Sequence, residues 1–162
     1  MFKLLNKKKN NKGFTLVELV IVIAILAILV GLLAPQYVKY VEKSRKSADV
    51  TNIENVVSSI KVAAADEDFG GLTAGDYVVK LTKTGMTVKA PNADMLATNG
   101  ALKKALDEYM GTGTYTVADD TATFANVVLK SSKWTPTEPF ATATVSSTGA
   151  VSVSYTPDTL AK

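Results

Sequence analysis

The sequence predicts an α+β chain in which one long N-terminal helix packs on a small antiparallel β-sheet. Three observations carry that prediction. Residues 14–34 form an apolar run whose only polar members are Thr15 and Glu18. Beyond Pro35, Tyr37, Val41, Val50, Ile53, Val57, Ile60 and Ala64 recur at helical spacing, the period of a helix with one buried face. Near the C-terminus, Ala141-Thr142-Ala143-Thr144-Val145 and Val151-Ser152-Val153-Ser154-Tyr155 alternate strictly around Ser147-Thr148-Gly149, the pattern of a hairpin.

Taken in order, residues 1–13 are polar and lysine-rich, with Lys3, Lys7, Lys8, Lys9 and Lys12, and form a leader set apart from the fold. Basic residues ahead of a span stay in the cytoplasm, which sends the C-terminus outside. The 21 residues from Phe14 to Ala34 reach about 31 Å as a helix, the thickness of a bilayer's hydrocarbon core. A helix apolar all round lies in lipid or is buried on every side. Glu18 is the exception, and a charge in that setting calls for a partner. The run from Leu19 to Ala34 contains no cation. Were the chain cut between Gly13 and Phe14, the new α-amino group of Phe14 would supply one, a helical turn from Glu18 on its own or a neighbouring copy.

Gly31 and Pro35 lie four residues apart. Proline has no N–H for the Gly31 carbonyl and costs about 3 kcal/mol inside a helix; glycine adds roughly 1 kcal/mol. The helix is expected to kink or loosen between them, unless Pro35 instead opens a second helix. Residues 35–65 form the amphipathic half, with Lys39, Glu42, Lys43, Arg45, Lys46, Asp49 and Glu54 assigned to the solvent face. The cluster Lys43-Ser44-Arg45-Lys46 reads as a solvated face or a lipid-headgroup contact. Asp66-Glu67-Asp68-Phe69-Gly70-Gly71 stops the helix near Ala65.

Residues 66–162 read as a β-rich head. Tyr77–Leu81 and Met86–Lys89 are strands across a Lys83-Thr84-Gly85 turn. Ala101–Met110 is a helix with Leu102, Leu106 and Tyr109 on one face and Gly111 as its stop. Further strands are expected over Ala122–Leu129, Phe140–Ser146 and Ala150–Thr156. The buried face of the last hairpin needs a core, because an isolated hairpin is marginal in water; the apolar stripe of the long helix supplies it. Trp134, beside Pro136 and Pro139, is assigned to a loop, capping the sheet edge or exposed as an adhesive residue.

Composition narrows the function. The net charge of +3 belongs to the leader, since without its five lysines thirteen basic side chains face fifteen acidic ones, a balance of −2. No nucleic-acid partner is expected on charge grounds. There is no cysteine and no histidine, which removes disulfides, the commonest metal ligand and the commonest general base. Ser58-Ser59 has no histidine to activate it, and the acid pairs Asp107-Glu108 and Asp119-Asp120 offer no run of oxygen ligands for calcium. Neither an enzyme, a metal site nor a cofactor is expected.

Lys12-Gly13-Phe14-Thr15-Leu16-Val17-Glu18, followed by the apolar run, resembles the class III signal of type IV prepilins and pseudopilins. The resemblance is close over about residues 12 to 40 and one of layout beyond. It implies the pilin fold, cleavage after Gly13 by a membrane-embedded prepilin peptidase, and methylation of the Phe14 nitrogen. It implies that Glu18 neutralises the terminal amine of an adjacent subunit in a filament, and that residues from Gly31 to Pro35 unwind there. The implied partners are other copies of the chain, the peptidase, an assembly platform protein, a cytoplasmic extension ATPase and, before assembly, the lipid bilayer. The implied location is the cytoplasmic membrane and then a cell-surface pilus. Many pilins of two-membrane bacteria close a C-terminal loop with a disulfide; the absence of cysteine departs from that pattern and points to a pilin of a single-membrane bacterium, or to one that rigidifies its surface by packing alone. The main reading is a major type IV pilin. The rival readings are a pseudopilin of a type II secretion or DNA-uptake machine and a membrane-anchored surface protein that does not polymerise.

Overall fold

Helix α1 runs without interruption over Leu16–Ala65, close to the span the periodicity predicts. The computed structural model describes residues 13–134 and 138–157, so the leader lysines and Pro136 lie outside the described residues. The chain divides into two units, Met1–Tyr40 and Val41–Lys162. In the first, every described residue is exposed, including Leu16 at 78%, Ile28 at 65% and Leu32 at 67%. The β-branched residues of this run, among them Val17, Val20, Ile21, Val22 and Ile23, are mediocre helix formers in water. A helix satisfies every backbone group from within the segment, which is what an apolar surrounding demands. Gly31 and Pro35 both lie inside the helix, and secondary structure is not broken between them. Pro35 therefore does not begin a second helix.

In the second unit, α1 buries Asp49, Ile53, Val56, Val57, Ser59, Ile60 and Ala63. The expected stripe is present but shifted: Val56 and Ala63 join it, Val50 and Ala64 are half-buried, and Tyr37 is 70% exposed because the buried face begins only at Asp49. After Ala65 the chain makes a 3-10 turn over Glu67–Phe69. Gly70 (φ 89°) and Gly71 (φ 75°) then take the left-handed backbone that ends the helical path.

Beyond them lie six antiparallel strands: β1 (Gly75–Thr82), β2 (Gly85–Lys89), β3 (Thr116–Ala118), β4 (Thr121–Phe124), β5 (Phe140–Val145) and β6 (Val151–Thr156). Their order is β3-β4-β2-β1-β5-β6. Val79 of β1 lies opposite Val88 on one side and Ala141 on the other, so the alternating positions of neighbouring strands share a face. That face, with Tyr77, Val79, Leu81, Met86, Val88, Phe124 and Ala143, joins Ile53, Val56, Val57 and Ile60 of α1 in one core. The predicted last hairpin is present, with Ala143 opposite Val153 and Val145 opposite Val151.

Three expectations about the head need correction. Helix α2 is regular only over Ala101–Leu106 and continues as a π turn over Asp107–Gly111. The widened turn shifts the phase of its own residues, so Tyr109 is 52% exposed and Met110 packs against the core beside buried Leu102 and Leu106. The strand expected over 122–129 ends at Phe124, where Val127 N–H donates back to the Phe124 carbonyl. Strand β3 has no counterpart in the sequence reading, because all three of its residues are exposed and carry no alternation. Asp119-Asp120 forms the turn between β3 and β4, and Asp119 has φ 50°.

The largest correction concerns Asp49, assigned to the solvent face by its charge and fully buried in the structure. Segment 130–134 crosses over it and supplies three donors. Lys130 N–H reaches Oδ1 at 2.8 Å, while Ser131 N–H and Trp134 Nε1–H reach Oδ2 at 3.0 and 2.9 Å. Trp134 accordingly packs against the side of α1 rather than capping the sheet edge, with Lys46 Nζ 4.7 Å from its ring centroid. The basic cluster is thus partly engaged, since Arg45 also bonds Glu42 at 3.0 Å.

Candidate functional site: the N-terminal segment

The residues singled out by the sequence, Gly13, Phe14 and Glu18, sit where the chain passes from irregular backbone into α1. Gly13 has open space on all sides: a Cβ added there would meet no atom within 4 Å. Nothing among the described residues therefore requires glycine at that position. Phe14 is 87% exposed, its ring unpartnered among the described residues. The scissile bond expected between them is accessible to an outside protein.

Glu18 is not left without a partner inside the chain. Thr15 N–H and Thr15 Oγ1 each lie 2.8 Å from Glu18 Oε2, and Glu18 N–H donates to Thr15 Oγ1 at 3.2 Å. This is a capping box: the threonine hydroxyl and the glutamate carboxylate each satisfy a backbone donor that the first turn leaves free. The positive end of the helix dipole favours the anion at the same place. The spelling Thr-x-x-Glu at the edge of an apolar run is a helix start signal, so this arrangement is legible in the sequence.

Below Glu18 the helix offers only hydrocarbon. None of the residues in its most apolar 18-residue window is buried. Gly31 has no neighbour within 4 Å of an added Cβ, so its smallness is not used within the subunit. The structure brings Thr15 and Glu18 together and leaves Phe14, Gly31 and Pro35 without tertiary partners among the described residues.

Residues 8–34 match the family model described as the prokaryotic N-terminal methylation motif. The chain carries a type IV pilin-like prepilin signal. The matched residues take in the end of the leader, the Gly13-Phe14 junction, the capping box and the whole apolar run. No curated protein and no solved structure matches the chain. The prepilin signal marks a pilin- or pseudopilin-like substrate of prepilin peptidase, and the motif is that of structural rather than enzymatic proteins. With the apolar helix it fits membrane anchoring before assembly. The long helix on an antiparallel sheet is the α+β arrangement of the pilin fold.

Each acid pair has one member engaged within the head, Asp107 with Lys103 and Asp120 with Lys89 at 3.5 Å. Asp107 is held by Lys103 at 2.6 Å and by the Tyr115 hydroxyl at 2.8 Å. Burial opposes its ionisation, but those two donors outweigh it and keep the carboxyl below the usual aspartate range. Burial, and then the Asp107 charge, push the Tyr115 hydroxyl up. Ser59 is buried and its hydroxyl donates to the Asn55 carbonyl, an intrahelical bond. No cluster of three or more potential metal ligands occurs among the described residues.

Proposed function

We propose that this chain is the structural subunit of a type IV pilus, serving adhesion, motility or surface colonisation. The observation that carries the reading is the prepilin signal joined to a helix whose apolar half is bare on every side. Such a surface is stable in a bilayer, and in water only when other copies cover it. Transfer from lipid to a bundle gains little from the hydrophobic effect, so close packing of the helices and an energy-consuming assembly machine drive the change. The machine comprises a platform protein in the membrane and an extension ATPase on the cytoplasmic side.

In this reading prepilin peptidase cuts between Gly13 and Phe14 and methylates the new amine. The Phe14 ammonium of one subunit then lies against Glu18 of the next, and this charge pair fixes their axial offset. The Gly31–Pro35 stretch, already short of one backbone hydrogen bond at Pro35, is the part of α1 that unwinds when helices bundle.

The test is electron microscopy of filaments sheared from the native host, with mass spectrometry of the subunit's N-terminus. Long filaments whose subunit begins with methylated Phe14 are expected. A subunit that still begins with Met1 refutes processing. A correctly processed subunit found only in short fibres of a secretion or DNA-uptake machine replaces the pilus by the pseudopilin.

A further inference from the structure

Asp49 is a charged side chain with no solvent contact, and neither processing nor polymerisation uses it. Its three donors come from residues 81 to 85 positions away in sequence. They belong to one short segment, Lys130 to Trp134, which reaches α1 after Leu129 N–H has bonded the Thr82 carbonyl at 2.9 Å. A second carboxylate reinforces the contact: Glu42 Oε2 accepts from Ser131 Oγ at 2.8 Å. The chain has no cysteine, so this segment is fastened to the helix without a covalent bond.

We propose that Asp49 is the catch of an acid-releasable latch, holding segment 130–134 closed on α1 while its carboxylate is ionised and freeing it when protonated. Among the described residues, all three groups bonded to Asp49 are donors, so only the anion answers each of them. A carboxylic acid presents a hydrogen to one of these donors and loses an acceptor; a buried donor left unsatisfied costs more than the bond contributed. Hydrogen bonds to a charged acceptor are about twice as strong as neutral ones, which sharpens the difference between the two protonation states.

In the second unit α1 also carries Glu42, Lys43, Arg45, Lys46, Glu54 and Lys61, and the strap carries Lys130 and Lys133; of these, Glu42 bonds the strap and Arg45, and Lys46 lies over Trp134. Donation by Ser131 holds the Glu42 carboxyl below the usual range, and Arg45 adds to the effect. Glu42 is therefore the competing titratable group, and it touches only the Ser131 hydroxyl on the strap. Lys46 lies over the Trp134 ring and loses that contact when the latch opens.

Trp134 is the sole tryptophan, so its fluorescence reads the latch directly. The full chain in mild detergent is titrated with acid while emission and far-ultraviolet circular dichroism are recorded together. Expected for the unaltered protein is a shift in Trp134 emission that precedes any loss of secondary structure. Asp49→Asn should show the released emission already at neutral pH and no acid step, whereas Glu42→Gln should keep the step. Hydrogen exchange supplies an independent reading on the unaltered protein. Protection of the Lys130 and Ser131 amides should fall about tenfold or more on acidification while that of β1 persists. The latch is refuted if Asp49→Asn retains the native emission at neutral pH, or if Glu42→Gln alone abolishes the step. It is equally refuted if emission, or the two amides, change only together with global unfolding.

Discussion

Ile60 and Leu32 are aliphatic residues on the same helix, and the structure gives them opposite duties. Ile60 is fully buried in the core of the second unit, whereas Leu32 is 67% exposed in the first. Ile60→Ala removes buried carbons from a packed site, and such truncations cost about 2–5 kcal/mol. For a unit of roughly 120 residues that lowers the melting temperature by roughly 8–20 °C. Leu32→Ala removes surface that touches nothing in the subunit, and its effect on the same transition is within about 0.5 kcal/mol. The assay is thermal unfolding of the full chain in mild detergent, followed by near-ultraviolet circular dichroism. If filaments form as proposed, the ranking reverses in the yield of sheared pili per processed subunit, where Leu32→Ala is the worse. A Leu32→Ala protein that melts as early as Ile60→Ala would refute the reasoning, because the apolar half would then be buried within its own subunit.

Glu18→Gln keeps an acceptor at the capping position and loses only the charge, while Thr15→Ala removes the hydroxyl and keeps the charge. Filament yield after normal cleavage should collapse in the first and stay near normal in the second; equal defects would reduce Glu18 to a helix cap. Asp107→Asn should destabilise the head at neutral pH. The native carboxyl is depressed, so its contribution is present above the ordinary aspartate range near pH 4 and disappears as the pH falls through the folded-state value. The stability difference between variant and parent, measured by denaturant melts, should therefore shrink in acid. Gly100→Ala places a Cβ against the carbonyl oxygens of Asp94 and Met95 and should cost about 1–3 kcal/mol in the same melts.

The features legible in the sequence are those whose forces act locally. Helix α1 and the β5–β6 hairpin announce themselves, because a 50-residue helix and two strictly alternating strands carry their period in the chain. Strand β3 does not, since it is three exposed residues paired only with β4. The exposed position of Tyr109 depends on a π turn, which no apolar period encodes. Asp49 is instructive because half of its signal was present. It lies four residues before Ile53, on the stripe that runs on through Val56, Val57 and Ile60. A carboxylate on that stripe contradicts the binary pattern, and the resolution lies about eighty residues away in backbone donors that sequence periodicity does not reveal.

Two carboxylates thus occupy one helix in positions that would ordinarily exclude them, and the same chemistry accommodates both. Glu18 enters the apolar run bonded to the N–H and hydroxyl of Thr15; Asp49 enters the core bonded to two N–H groups and an indole. Neither has a cation within salt-bridge distance among the described residues. Backbone donors are fixed in place by the fold, so they hold an anion without the entropic cost of ordering a long lysine or arginine side chain. For Glu18 this has a mechanistic consequence. If filaments form as proposed, its carboxylate is already bonded by Thr15 before any partner arrives, so a subunit could wait in the membrane as a monomer. The carboxylate still has lone pairs free for a second donor, and in the proposed filament a neighbour's Phe14 ammonium would add to the capping box instead of competing with it. Under that proposal, pairing would require no rearrangement of the first helical turn, and the charge could set register without first being released from its own chain.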